Sequence, residues 1–200
     1  MDFAFGLFLS APAAFGAVVA ARAANDTPVN EAKVGVLFLT ICAACAASAV
    51  AVASDALAAW KVGVLAAGLA YLAAFDARAM AIPVWPTILL IAAGLVWSSI
   101  DGVLVEHLSA ALAGAAAFLI LDAAYRRLRG RSGLGEGDAL VAAALGAWLS
   151  FEGLAWSVAL GGAAGALFQI FRGAARTDAM PFVPALAFGA AGYWIMLGRF

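Results

Sequence analysis

The sequence predicts an all-α protein, a polytopic bundle of transmembrane helices. Of its 200 residues, 66% are hydrophobic and only 12% are charged. A soluble domain of this size has too little interior to bury so much apolar surface. The apolar stretches are long and separated by short polar clusters, which is typical of helices whose backbone hydrogen bonds close within each span. We therefore expect one membrane domain over residues 1–200, with N-terminal spans in 1–57 and the functional core in 58–200.

Eight apolar segments approach or reach the ~17–25 residues that a helix needs to cross a bilayer. The predicted spans are 4–21, 34–53, 58–75, 84–100, 104–124, 138–151, 154–171 and 181–198. The first could be mistaken for a secretory signal, but it is preceded by Asp2 and by no Lys or Arg. A cleaved signal has a positive start, so we expect this span to be retained.

The basic residues predict an orientation for these eight spans. Nine of them fall on one side of the membrane: Arg22, Lys33, Arg78, Arg126, Arg127, Arg129, Arg131, Arg172 and Arg176. Only Lys61 and Arg199 fall on the other side. Because Lys and Arg collect in cytoplasmic loops, both termini are expected outside, and Asp76 and Asp138 are expected at the cytoplasmic face.

The two cysteines, Cys42 and Cys45, have the CAAC spacing of a redox motif or half of a zinc site. Both lie among alanines in the middle of a predicted span. A structural zinc ion takes four ligands, and the single histidine, His107, is expected near the opposite membrane face. We expect the cysteines to be small packing residues, and we expect no metal or other cofactor.

Two aspartates are candidates for chemistry. Asp138, in the stretch GLGEGDAL from Gly133 to Leu140, lies where an apolar segment begins, and a role as a helix N-cap would by itself account for it. Asp76 lies at the end of another predicted span and is followed by the apolar stretch ARAMAIPVWPT. If the two carboxylates meet in a partly desolvated place, they share one proton. Such a pair activates water and polarises a peptide carbonyl without a metal, as an aspartic protease requires.

Three motifs occur together around these aspartates. They are Gly135-Glu136-Gly137-Asp138, Asp76 followed by Ile82-Pro83, and the late segment Pro181-Phe182-Val183-Pro184. In this combination the chain resembles the type IV prepilin peptidases, which belong to the GxGD membrane aspartic proteases of the bacterial inner membrane. The resemblance covers roughly residues 60–190. It implies that Asp76 and Asp138 are catalytic, that Gly135 and Gly137 let the substrate backbone approach, and that Pro83 fixes the direction of its loop.

The resemblance also implies an activity and its partners. The expected function is an endopeptidase that removes the leader of prepilin or pseudopilin substrates at the cytoplasmic membrane face, in contact with lipid and without nucleic acid. Residues 23–33 are too few for the cysteine-rich insertion of the larger members, so we expect a short form without methyl transfer from S-adenosylmethionine. Two positions depart from the family pattern: Leu140 stands where Lys is frequent, and Val84 where Asn or Asp is frequent.

Two alternatives stay open on the sequence. A homologue without catalysis could serve in the assembly of a pilus or secretion system, in line with the two departures. A small transporter could use an acid at a span end to bind a cation, but acids near mid-membrane and an internal repeat are expected for it and are not found.

The arginines at 126, 127, 129 and 131 are interpreted as topology anchors or as residues that bind an acidic substrate segment. Asp122, one helical turn before Arg126, is expected to form an ion pair with it.

Overall fold

The computed structural model describes residues 56–130, 135–172 and 180–197. Within these ranges the chain is all-helical, as predicted, with no strand. The five helices are α1 (Ala56–Ala79), α2 (Val84–Ile100), α3 (Leu104–Arg129), α4 (Glu136–Arg172) and α5 (Val183–Leu197). Three of them, α1, α3 and α4, contain segments long and apolar enough to cross a membrane. The predicted spans 4–21 and 34–53, and both cysteines, lie outside the described residues. The number of spans, their orientation and the division at residue 57 therefore stay predictions.

Local signals set the ends of the helices. Pro83 is the N-cap of α2, with φ −70° and ψ 117°, and its carbonyl accepts a hydrogen bond from Thr87 Oγ1 at 2.8 Å. Proline fixes φ near this value, so it suits a helix start. At the end of α1, Met80 adopts φ 48° and its N–H donates to the Asp76 carbonyl at 2.9 Å. This is a left-handed helix cap, a conformation usually taken by glycine.

Helix α4 is broken at Ser150, where φ is 61° and ψ is −169°. A β-carbon built on Gly114 would lie 3.0 Å from the Ala142 carbonyl oxygen and 2.8 Å from Leu154 Cδ2. In a straight helix, residues twelve apart are separated by about 18 Å, too far for both to contact one glycine. The chain therefore reverses at Ser150, close to where the sequence separates the predicted spans 138–151 and 154–171.

Replacing Ser150 with glycine should stabilise the protein. The φ and ψ of Ser150 fall in a region that is essentially restricted to glycine, at a cost of order 1–3 kcal/mol for other residues. Part of the gain is offset by the greater freedom of glycine in the unfolded chain, so Ser150→Gly should add about 1 kcal/mol. Thermal unfolding in detergent measures this change, and a lower midpoint for Ser150→Gly than for wild type would contradict it.

The chain forms two compact units. The first contains the described residues up to Met80 and from Trp156 onward, and the second is Ala81–Ala155. In the first unit α1 packs against α5, and the second half of α4 crosses α5 at very short range. A β-carbon on Gly161 would overlap the Ala185 carbonyl, and one on Gly189 would overlap the Ser157 carbonyl. Small residues thus let the two backbones touch, a frequent device where helices pack in lipid.

Two adjacent glycines in α4 should respond in opposite ways to alanine. At Gly161 the added methyl group meets the backbone of Ala185 and Leu186, which cannot move aside as a side chain can. At Gly162 no atom lies within 4 Å of the added methyl group. We expect Gly161→Ala to cost about 1–3 kcal/mol of unfolding free energy. Gly162→Ala should gain about 0.5–1 kcal/mol through its better helix propensity. Equal thermal midpoints for the two variants would contradict this packing.

In the second unit α3 runs antiparallel to the first half of α4. Gly114 lies against Ala142, and Gly146 lies against Ala110. The contacts therefore run in opposite chain directions along the two helices. A small core of Ala111, Ala143 and Ala147 fills the contact. A hydrogen bond from His107 Nδ1 to the Ala147 carbonyl at 2.9 Å reinforces it. Trp148 Nε1 donates to the Leu90 carbonyl at 2.8 Å and so joins α4 to α2. This register brings the end of α3 to the start of α4, where Asp138 lies.

Candidate active site

Asp76 is buried in the last turn of α1, with 6% of its surface exposed. Its carboxylate oxygen Oδ2 accepts a hydrogen bond at 3.0 Å from the backbone N–H of Val183, the first residue of α5. The positive end of the α5 dipole and an otherwise unsatisfied amide therefore meet the carboxylate. Asp76 thus connects the end of one helix to the beginning of another in the first unit.

Asp138 is also buried, with 8% of its surface exposed, at the start of α4. Its Oδ2 accepts a hydrogen bond from the Gly135 N–H at 2.8 Å, while its own N–H donates to the Gly135 carbonyl at 3.0 Å. The sequence places the helix start at Asp138 itself, but α4 begins two residues earlier, at Glu136. Asp138 is the third helical residue, and its carboxylate reaches back to the residue before the helix as in a capping box.

Gly137 is in direct contact with Ile82 in the second unit. A β-carbon on Gly137 would lie 2.6 Å from Ile82 Cβ and 2.8 Å from Ile82 Cδ1. Pro83, the next residue, begins α2. The GxGD segment and the Ile-Pro pair are therefore packed together, which gives Gly137 a structural reason to lack a side chain. At Gly135, by contrast, the atom nearest to an added β-carbon would be Asp138 Oδ2 at 3.6 Å, which is an ordinary van der Waals distance.

Asp122 forms the predicted ion pair with Arg126, with Oδ2 and Nε 3.2 Å apart. The structure adds that Asp122 is buried, with 6% of its surface exposed. The sequence contained a signal for this placement. Gly114, Phe118 and Asp122 recur every four residues and lie on the buried face of α3.

The predicted site residues thus fall into two groups. Asp76 lies in the first unit with Val183, and Asp138, Gly135, Gly137 and Pro83 lie in the second. In each group a buried carboxylate accepts a hydrogen bond from a backbone amide at or beside a helix start. Within residues 56–130, 135–172 and 180–197, no group of three or more His, Cys, Asp or Glu side chains is arranged to hold a metal ion. The expectation that no cofactor is needed stays a prediction.

These features define a class, a helical membrane protein that keeps buried acids at the ends of its helices. Ionisable groups in such apolar surroundings are costly and usually serve a function. The profile of the type IV leader peptidase family matches residues 63–170, more than half of the chain and inclusive of Asp76 and Asp138. The chain belongs to the type IV leader peptidase family.

Several curated relatives are similar to this chain, each named prepilin leader peptidase/N-methyltransferase. The one from Neisseria gonorrhoeae is 35% identical over 126 residues, which cover 62% of this chain and 44% of the relative. The one from Burkholderia pseudomallei (strain K96243) is 36% identical over 152 residues, 67% of this chain and 48% of the relative. The one from Aeromonas salmonicida is 33% identical over 128 residues, 61% and 43% respectively. The chain spans less than half the length of these relatives. No solved structure matches it.

Proposed function

We propose that this chain is a membrane aspartic endopeptidase that removes the leader peptide of prepilin-like substrates, with Asp76 and Asp138 as its catalytic pair. One observation carries the proposal most strongly. Inside the segment that matches the leader peptidase family, both aspartates are buried, and the carboxylate of each accepts a hydrogen bond from a backbone amide. A buried carboxylate that is held by such a hydrogen bond is oriented before the substrate binds, as catalysis requires.

The proposed reaction is general acid–base hydrolysis. One carboxylate, in its ionised form, takes a proton from a water molecule as the water oxygen attacks the carbonyl carbon of the scissile peptide bond. The partner, in its protonated form, donates its proton to the carbonyl oxygen, and a tetrahedral intermediate forms. When the carbon–nitrogen bond breaks, the first carboxylic acid protonates the leaving amine, and a hydroxyl of the intermediate returns its proton to the partner as the carbonyl forms again. Neither carboxylate is consumed, and both return to their starting states.

The proposed substrate and location follow from the family. The curated relatives are named for prepilin leaders, so we assign this chain a prepilin or pseudopilin substrate whose apolar helix lies in the bilayer. Cleavage at the cytoplasmic face of the inner membrane agrees with the predicted orientation of the basic residues. Methyl transfer, the second activity in the relatives' name, is not part of the proposal.

Co-expression of the chain with a prepilin tests this function. The host should be a bacterium that lacks its own prepilin peptidase, and membranes with the chain should be compared with membranes from an empty vector. We expect the prepilin to lose its leader only when the chain is present, with the new N-terminus read by mass spectrometry. A prepilin that stays intact beside well-inserted chain would favour the non-catalytic assembly role, to which the departures at Leu140 and Val84 point.

A further inference from the structure

The N-terminus of α5 is joined to the proposed catalytic residue Asp76 by a buried hydrogen bond. The two partners, the Val183 N–H and Asp76 Oδ2, are 107 residues apart in the chain and 3.0 Å apart in space. Val183 has no exposed surface, and Asp76 has 6%. Hydrogen bonds to a charged acceptor are stronger than neutral ones, and burial keeps water from replacing the donor.

The start of α5 is well suited to hold a carboxylate in one orientation. Leu186 N–H donates to the Phe182 carbonyl at 3.1 Å, so Phe182 precedes the helix and Val183 is its first residue. The first amides of a helix have no partner within it. Pro184, which follows, has no N–H at all, so the second helical position offers Asp76 no competing donor.

The surrounding packing fixes this amide in place. Helix α5 packs along α1, which carries Asp76 in its last turn. It crosses the second half of α4 at the contacts of Gly161 with Ala185 and of Gly189 with Ser157. These contacts are between backbones, which cannot move independently. The Val183 amide therefore cannot follow Asp76 if the carboxylate rotates, and it restrains the carboxylate instead.

We propose that the backbone amide of Val183 is a positioning group for catalysis, which holds Asp76 in the orientation it needs to act on water or on the scissile carbonyl. The inference rests on the proposed function and deepens it, since it gives the Phe182-Val183-Pro184 segment a task in the active centre. The amide touches neither water nor substrate in this role and acts only through Asp76.

The variant Val183→Pro removes this donor and leaves the helix intact, because the first position of a helix tolerates proline. The preceding residue, Phe182, lies outside the helix, where a residue before proline is accommodated. Loss of a hydrogen bond to a charged group should lower kcat for prepilin cleavage about 10- to 100-fold. The KM should stay within about twofold, because substrate binding does not use the amide.

Two control variants separate positioning from packing. Val183→Ala keeps the N–H and removes only side-chain atoms, so it should lower kcat far less than Val183→Pro does. Leu104→Pro places the same change at the first position of α3, where it should not affect kcat. If Val183→Pro fails to insert or fold, the α-hydroxy acid analogue of valine can be incorporated at position 183. It replaces the backbone N–H with an ester oxygen and keeps the valine side chain.

Several outcomes would overturn the inference. Wild-type kcat in Val183→Pro or in the ester, in an assay where Asp76→Asn is inactive, would show that the amide does not position Asp76. An equal loss of kcat in Val183→Ala would assign the effect to packing. If the wild-type chain does not cut prepilin at all, the proposed function fails, and the inference fails with it.

Discussion

Asp76→Asn and Asp138→Asn should each abolish prepilin cleavage and leave the fold intact. An asparagine side-chain oxygen can still accept the hydrogen bonds that Val183 N–H and Gly135 N–H donate to the two aspartates. It cannot exchange a proton with water or with the substrate, which should lower kcat about 10²- to 10⁴-fold. Because the two carboxylates are proposed to act as one unit, the double variant should be no slower than either single one. The measurement is the rate of leader removal in membranes.

The control for these variants is Asp101→Asn. Asp101 is an exposed aspartate just after α2, and its amide variant should cleave at the wild-type rate. Thermal unfolding of the purified variants should show midpoints close to that of wild type. Substantial cleavage by Asp76→Asn would reduce that residue to a cap of α5, and substantial cleavage by Asp138→Asn would reduce that residue to a cap of α4.

The two glycines of the GxGD segment should not be equivalent. Alanine at Gly137 would place a methyl group 2.6 Å from Ile82 Cβ, a branched carbon next to the backbone that cannot swing away. We expect Gly137→Ala to destabilise the second unit by about 1–3 kcal/mol, to displace Asp138, and to reduce cleavage strongly. Alanine at Gly135 meets Asp138 Oδ2 at 3.6 Å and keeps the N–H that donates to it, so this variant should unfold at the wild-type temperature.

Cleavage by Gly135→Ala then tests the proposal that the substrate backbone passes close to this residue. A higher KM with an unchanged thermal midpoint is expected if the substrate approaches Gly135, because only the substrate would meet the new methyl group. Equal thermal midpoints and equal cleavage for Gly135→Ala and Gly137→Ala would contradict the contact between Gly137 and Ile82.

Features that depend on local sequence were predictable. Helix α2 has the predicted bounds, 84–100, because Pro83 fixes its start and Asp101-Gly102 ends it. The break in α4 lies at Ser150, where the polar residues Ser150 and Glu152 interrupt two apolar stretches. The predicted start of α4 lies two residues after the observed start at Glu136. The apolar pattern does not show that the Asp138 carboxylate caps the helix in which it lies.

Contacts between distant segments were not predictable in the same way. The hydrogen bond from Val183 to Asp76 joins residues 107 positions apart, and no local sequence pattern predicts it. The contact of Ile82 with Gly137 gives a physical reason for two motifs that the sequence could identify only by resemblance. Such contacts depend on how the helices pack. Small residues such as Gly161 and Gly189 are compatible with many helix arrangements, so the sequence does not single one out.

The central claim is that Asp76 and Asp138 act together on one peptide bond, and cross-linking tests it most directly. Cysteines should replace both aspartates in a chain whose Cys42 and Cys45 are changed to serine, and a short bifunctional thiol reagent should be added with prepilin bound. We expect rapid cross-linking of positions 76 and 138, and none for a matched pair at 76 and 101. No cross-link between positions 76 and 138, with prepilin present and the protein folded, would contradict a shared catalytic site.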